Sequence, residues 1–320
     1  MRLSFPFINH VGRLRSGWRL FVFALFFMAL LIASDLIVLR LDWRTIPRAD
    51  QILDVVRRAL MMAGALGAGY LCARLLEGLP WRSLGLTFRT AWFRELLIGS
   101  AIGILSLTLA VAIATAAGGF TFSFSKSEML LGVTRSLCGS AVLFIIAALA
   151  EEAVFRGYPL QTLSRARLAW LGAFLTSVPF AMAHLWNPNS GKLPFANTAL
   201  AGIWLAIAYF RTRSLWFPLG VHWAWNWALG SLFGLPVSGL TLVSNPLMKA
   251  TDLGPAWLTG GNYGIEGGAA CTMALVVSSL FLWRTPLVSA NPDLLKLTSE
   301  ENPAKRTVVA SSETEQLQVP

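Results

Sequence analysis

Two adjacent carboxylates, Glu151 and Glu152, close an apolar run in the segment AALAEEAVFRGYPLQ, and Arg156 follows four residues after the second. On a continuing helix Glu152 and Arg156 share a face and can pair, whereas Glu151 is turned about 100° away and is left to face a cavity. One acid is then neutralised and the other can accept a proton. The bland alternative is a helix-end ion pair at a water interface. His184 lies near the end of a second apolar run, one helical turn after Phe180. Alone it reads equally as a hydrogen-bonded core residue. His222 and Asn226, four apart on a third run, present both polar groups on one face; alone they read as interhelical glue. An ionisable side chain at membrane depth costs roughly 3 kcal/mol on insertion scales, which marks such residues as functional candidates. The chain has only three histidines, and two of them follow the glutamate pair on apolar segments. A glutamate, two histidines and an asparagine could thus converge in one intramembrane cavity.

The elements that would carry these residues are hydrophobic. The 320 residues are 55% hydrophobic and 13% charged, against about 25% charged in ordinary soluble domains, and the mean hydropathy is +0.61. The expected fold is all-α, a polytopic membrane helix bundle of about eight transmembrane helices, at 18–39, 57–76, 95–117, 131–150, 168–187, 194–210, 214–233 and 267–284. Residues 1–130 supply N-terminal helices, 131–233 the core with the polar motifs, 234–290 a loop and the last helix, and 291–320 a polar cytoplasmic tail expected to be disordered. The first segment follows Arg13, Arg15 and Arg19 as in a signal peptide, but lacks an A-x-A site and reads as a retained anchor. The sixth and seventh segments, separated by Arg211-Thr212-Arg213, read as a tight helical hairpin.

Bases cluster in alternate links. Arg2, Arg13, Arg15 and Arg19, then Arg82, Arg89 and Arg94, then Arg156, Arg165 and Arg167, then Arg211 and Arg213 fall on one side. Lys126, Lys192 and Lys249 stand singly on the other, so both termini are expected in the cytoplasm. The first loop is the exception, with Arg44, Arg48, Arg57 and Arg58 partly balanced by Asp42, Asp50 and Asp54. The net charge of +10 is thus a topology signal; no basic-aromatic motif suggests nucleic acid. Cys72, Cys138 and Cys271 show no CxxC or metal spacing and read as small buried hydrophobes. Trp223, Trp225 and Trp227 read as interfacial aromatics, and Asp35 as the end of an apolar run. No internal repeat suggests a transporter of two matching halves.

In order and on three separate segments, Glu151-Glu152-x-x-x-Arg156, Phe180-x-x-x-His184 and His222-x-x-x-Asn226 resemble the CPBP family of intramembrane proteases. That family includes type II CAAX prenyl endopeptidases and Abi-like proteins linked to bacteriocin self-immunity. WRSLGL at 81–86 also resembles its segment preceding the core. The resemblance covers roughly 131–233 and implies an integral membrane protein that cleaves a membrane-associated peptide, with prenylated CAAX peptides as the family's best-known substrate class; the compact, basic-looped form reads as that of a bacterial plasma-membrane protein. It implies Glu151 as catalytic base, His184 as its partner on water, His222 and Asn226 as oxyanion donors, and Glu152 and Arg156 as structural supports, with Phe180 beside them. HExxH is absent, and the resemblance leaves both a metal-free mechanism and zinc on Glu151, His184 and His222 open; the former is favoured. A non-catalytic scaffold or immunity factor of the same fold is the alternative, with a transporter behind it.

Overall fold

The computed structural model describes residues 6–40, 49–125 and 130–301. Eleven α-helices lie within them: α1 (Ser16–Leu39), α2 (Ala49–Glu77), α3 (Trp92–Ala116), α4 (Leu130–Phe155), α5 (Tyr158–Arg165), α6 (Ala169–Ala183), α7 (Lys192–Thr212), α8 (Trp216–Trp227), α9 (Ala256–Thr259), α10 (Ala269–Arg284) and α11 (Pro292–Ser299). Strands β1 (Phe120–Phe124) and β2 (Met248–Asp252) pair antiparallel, Phe120 opposite Asp252. The protein is an all-α membrane bundle. Five helical stretches are long and apolar enough to cross a membrane, namely Ser16–Leu39, Ile52–Glu77, Trp92–Ala116, Leu131–Arg165 and Lys192–Thr212. Every expected segment is helical, but α6 and α10 have 15 and 16 residues and α8 only 12, short of the ~20 needed for a perpendicular crossing.

The main core lies among α3, α7, α8 and α10, and a second cluster joins α1, α2 and α5. The closest helix approach is between α3 and α8. A methyl group on Gly99 or Gly103 would fall 2.4 or 2.3 Å from the carbonyl oxygens of Phe217 and Val221, and one on Gly220 2.3 Å from that of Leu96. Small residues at such contacts let backbones meet where lipid offers no hydrophobic drive. This seam fixes α8, and with it His222 and Asn226.

Helix α4 stops for a local reason. Gly157 donates its N–H to Glu152 O, and a side chain there would strike the carbonyl oxygen of Ala153 at 2.3 Å. Pro159 then starts α5 in the first helical turn, where its missing donor is not needed. The turn keeps Arg156 inside the bundle.

Several expectations need correction. The tail is not wholly disordered: Asn291 caps α11 by accepting from Asp293 and Leu294 N–H, and Leu294 and Thr298 are buried; residues 302–320 lie outside the described residues. Arg57 and Arg58 belong to α2 rather than to a loop, while Asp42, Arg44, Arg48 and Lys126 lie outside the described residues. Cys72 and Cys271 are buried, but Cys138 is exposed on α4. Trp223, Trp225 and Trp227 are also packing elements. Trp223 and Trp227 donate to the Ala141 and Leu137 carbonyls of α4, and Trp225 is buried. Asp35 sits 3.6 Å from Arg57 across α1 and α2. The α7–α8 connection is the expected short hairpin, turning at Arg213 with φ 58°.

Candidate active site

The end of α4 separates its two carboxylates as helical geometry requires. Glu152 is fully buried and lies 3.2 Å from Arg156, itself fully buried. Arg156 Nη2 also donates to Gly202 O at 3.0 Å, and its guanidinium stands 4.7 Å from the centre of the Phe180 ring. Gly202 is required there, because a methyl group would lie 2.6 Å from Ser177 Cβ. Glu151 is 18% exposed and lines a cavity of about 510 Å³ together with His184, Asn187, Asn226 and Ser238. Leu31 of α1, Met61 of α2 and Phe144 of α4 contribute apolar wall.

His222 stands between the two acids. Its Nδ1 is 2.8 Å from Glu152 Oε1, and its Nε2 is 3.6 Å from Glu151 Oε2, just beyond hydrogen-bond length. An ionised carboxylate can only accept, so Nδ1 carries a proton. Nε2 then donates only when the ring holds both protons. His184 has a different constraint. Its Nδ1 is 2.8 Å from Phe180 O. A carbonyl also only accepts, so Nδ1–H donates, and in the neutral ring Nε2 is the nitrogen with the lone pair. The Phe180 ring packs 4.9 Å from His184 and 6.1 Å from His222, between centroids, and orients both.

His184, Asn226 and Ser238 also border a smaller cavity of about 40 Å³, which His222, Asn197 and Glu266 line from the other side. That volume suits about one water molecule. Sequence reasoning missed Glu266, Ser238 and Asn187. Glu266 accepts from Trp225 Nε1 at 2.9 Å, from Ser238 N at 2.6 Å and from Ser238 Oγ at 3.0 Å. Asn187 Nδ2 donates to Ser238 O at 2.9 Å. Ser238 is held in the left-handed region, with φ 49°. A loop remote in sequence is thus clamped over both cavities. One signal was available: Glu266 is a lone acid in a glycine-rich stretch before an apolar run.

The structure therefore brings Glu151, Glu152, Arg156, Phe180, His184, His222 and Asn226 to one place. The direct neighbour of Glu151 is His222, while His184 shares its cavity. Among the described residues no group of three or more His, Cys, Asp or Glu side chains lies close enough to hold a metal ion.

Residues 133–228 match the family model described as Type II CAAX prenyl endopeptidase Rce1-like, a segment that contains all seven residues just named. An uncharacterized 24.3 kDa protein of Escherichia coli is 38% identical over 95 residues, which cover 29% of this chain and 42% of that protein. No solved structure matches the chain.

Proposed function

We propose that the chain, whose residues 133–228 match the Rce1-like family model and whose helices include five long and apolar enough to cross a membrane, is an intramembrane endopeptidase that hydrolyses a membrane-associated peptide with Glu151 as base. The observation that carries the reading is the placement of the Glu151 carboxylate. It lines the 510 Å³ cavity with His184 and Asn226 and lies 3.6 Å from His222. A prenylated CAAX-type peptide is the substrate class to which the family resemblance points. The arginine distribution supports both termini in the cytoplasm of a bacterial plasma membrane.

In the proposed mechanism a water molecule sits between Glu151 and His184 Nε2, whose lone pair accepts one of its hydrogens. Glu151 removes a proton as the water oxygen bonds the scissile carbonyl carbon. The carbonyl oxygen becomes an oxyanion, stabilised by the Asn226 amide and by doubly protonated His222. The C–N bond then breaks, and Glu151 returns its proton to the leaving amine. Positioned general bases typically contribute 10²–10⁴-fold to rate. Glu152 and Arg156 hold His222 and the end of α4 without entering the reaction. No step is assigned to a metal, and cleavage is expected to survive chelator treatment unchanged.

The test is cleavage of a lipid-anchored CAAX-type peptide in proteoliposomes made in ¹⁸O-water. The product carboxylate should gain one ¹⁸O, and Glu151→Gln should slow cleavage by about 10²–10⁴-fold. Cleavage at the wild-type rate by Glu151→Gln, or an unlabelled product, would overturn the reading.

A further inference from the structure

A second large cavity, of about 580 Å³, lies where the start of α1, the link between α5 and α6, and the end of α11 meet. Its walls carry His10, Arg15, Arg165 and Arg167 against Glu300 and Glu301. Arg165 and Glu301 are held in ion pairs. Arg165 holds Glu77 through Nε at 2.7 Å and Nη2 at 2.8 Å, and Glu301 receives both Nη groups of Arg19 at 3.2 and 2.9 Å. Arg167 is different: its backbone N–H donates to Ser164 O, but its side chain is exposed and has no hydrogen-bond or ion-pair partner among the described residues. Its backbone is left-handed, with φ 63°, a conformation that costs a side-chain-bearing residue roughly 1 kcal/mol or more. A glycine would suit that turn better, yet the position holds an arginine on the cavity wall.

The surroundings place this basic cavity at the border of the bilayer. Phe7 and Trp18 are exposed on one flank, and Leu168 and Trp170 on the other. Tryptophan concentrates at headgroup depth. Beyond them, Phe21 and Leu25 on α1 and Leu171 and Phe174 on α6 offer exposed apolar surface along which acyl chains can lie. The first turns of α1 and α6 carry no acid, so the carboxylates facing the cavity are Glu300 and Glu301, the latter held by Arg19.

We propose that this cavity is a binding site for a phosphate-bearing anion, held by Arg15 and Arg167, and that its source is the headgroup of an anionic phospholipid. The aromatic and apolar flanks favour that source over a soluble ion. Nothing in the proposal depends on the hydrolytic site.

The experiment is a melting titration of the full chain in neutral phosphatidylcholine nanodiscs, with added phosphatidylglycerol in one arm and inorganic phosphate in the other. A ligand that binds the folded state raises the melting temperature by mass action. Phosphatidylglycerol should stabilise the wild type with saturation, and Arg167→Gly should weaken its apparent affinity about fivefold, since one arginine near a membrane surface contributes about 1 kcal/mol. Without ligand Arg167→Gly should melt at or above the wild type, because glycine relieves the left-handed turn. Arg167→Lys should keep most of the affinity. Arg167→Asn, which also tolerates that backbone, repeats the test if the glycine variant fails to fold. A matching shift from phosphate alone would keep the anion site and overturn the lipid source. Equal phosphatidylglycerol titrations for the wild type and both neutral variants would overturn the site.

Discussion

Two buried charge clusters stand in the same apolar bundle, and they differ in completeness. Around Glu77 the carboxylate accepts from Arg19, from Thr162 and twice from Arg165, and Glu77 and both arginines are at most 1% exposed. Each carboxylate oxygen accepts two hydrogen bonds, and the cluster ties α1, α2 and α5 together. At the end of α4 the equivalent ties are Glu152, Arg156 and His222, but a second carboxylate, Glu151, is left beside them on a cavity wall. A saturated cluster has no capacity left for a reacting molecule. An unsaturated one retains a base, and the same membrane penalty that makes it costly makes it informative. The difference separates structural from chemical polar groups more sharply than burial does.

The largest effect expected is on the part the two clusters share in kind. Arg156→Met leaves Glu152 buried with His222 as its remaining close polar partner, and should destabilise the protein by about 3–5 kcal/mol while abolishing cleavage. Loss of both together in a melting and activity assay sharpens the comparison; a stable variant would mean that Glu152 is not held as an anion. Next, Asn226→Ala should lower kcat by about 10²–10³-fold with its melting temperature nearly unchanged, as removal of an oxyanion donor does. An equal loss of stability would move Asn226 into the structural class. Gly103→Ala forces α3 and α8 apart and should cost about 1–3 kcal/mol, measured by melting, with impaired cleavage because His222 and Asn226 ride on α8. Smallest is Glu266→Gln, which keeps one acceptor for Trp225 and should cost about 1 kcal/mol. Its signature is a raised KM with kcat little altered, because the clamp shapes the cavity roof.

How much of this was legible in the sequence follows from which distances a helix fixes. The Glu152–Arg156 pair and the outward turn of Glu151 are consequences of helical pitch alone, and both occur as the spacing requires. The helices themselves were visible as apolar runs. What spacing does not carry is which helix packs on which. That His222 bridges the two glutamates, rather than serving only as a distant donor, depends on the α3–α8 seam and the packing of α4 on α8. The Gly99-x-x-x-Gly103 repeat behind that seam was readable, but not its partner Gly220. Glu266 and Ser238 were out of reach because loops have no period, and their meeting is set by tertiary contacts alone. The docked α11 was missed although Asn291-Pro292-Asp293 is a helix-start signal, because the polar composition after it dominated the reading.

The most direct measurement pairs Glu151→Gln with Glu77→Gln in one preparation, recording both kcat on the lipid-anchored peptide and the melting temperature. Glu151→Gln should lose cleavage by about 10²–10⁴-fold and melt within a few degrees of the wild type. Glu77→Gln, which leaves buried Arg165 without its counter-charge and Arg19 with Glu301 alone, should lose about 3–5 kcal/mol of stability, while whatever remains folded cleaves at nearly the wild-type rate. An active Glu151→Gln, or one that melts as early as Glu77→Gln, would contradict the account.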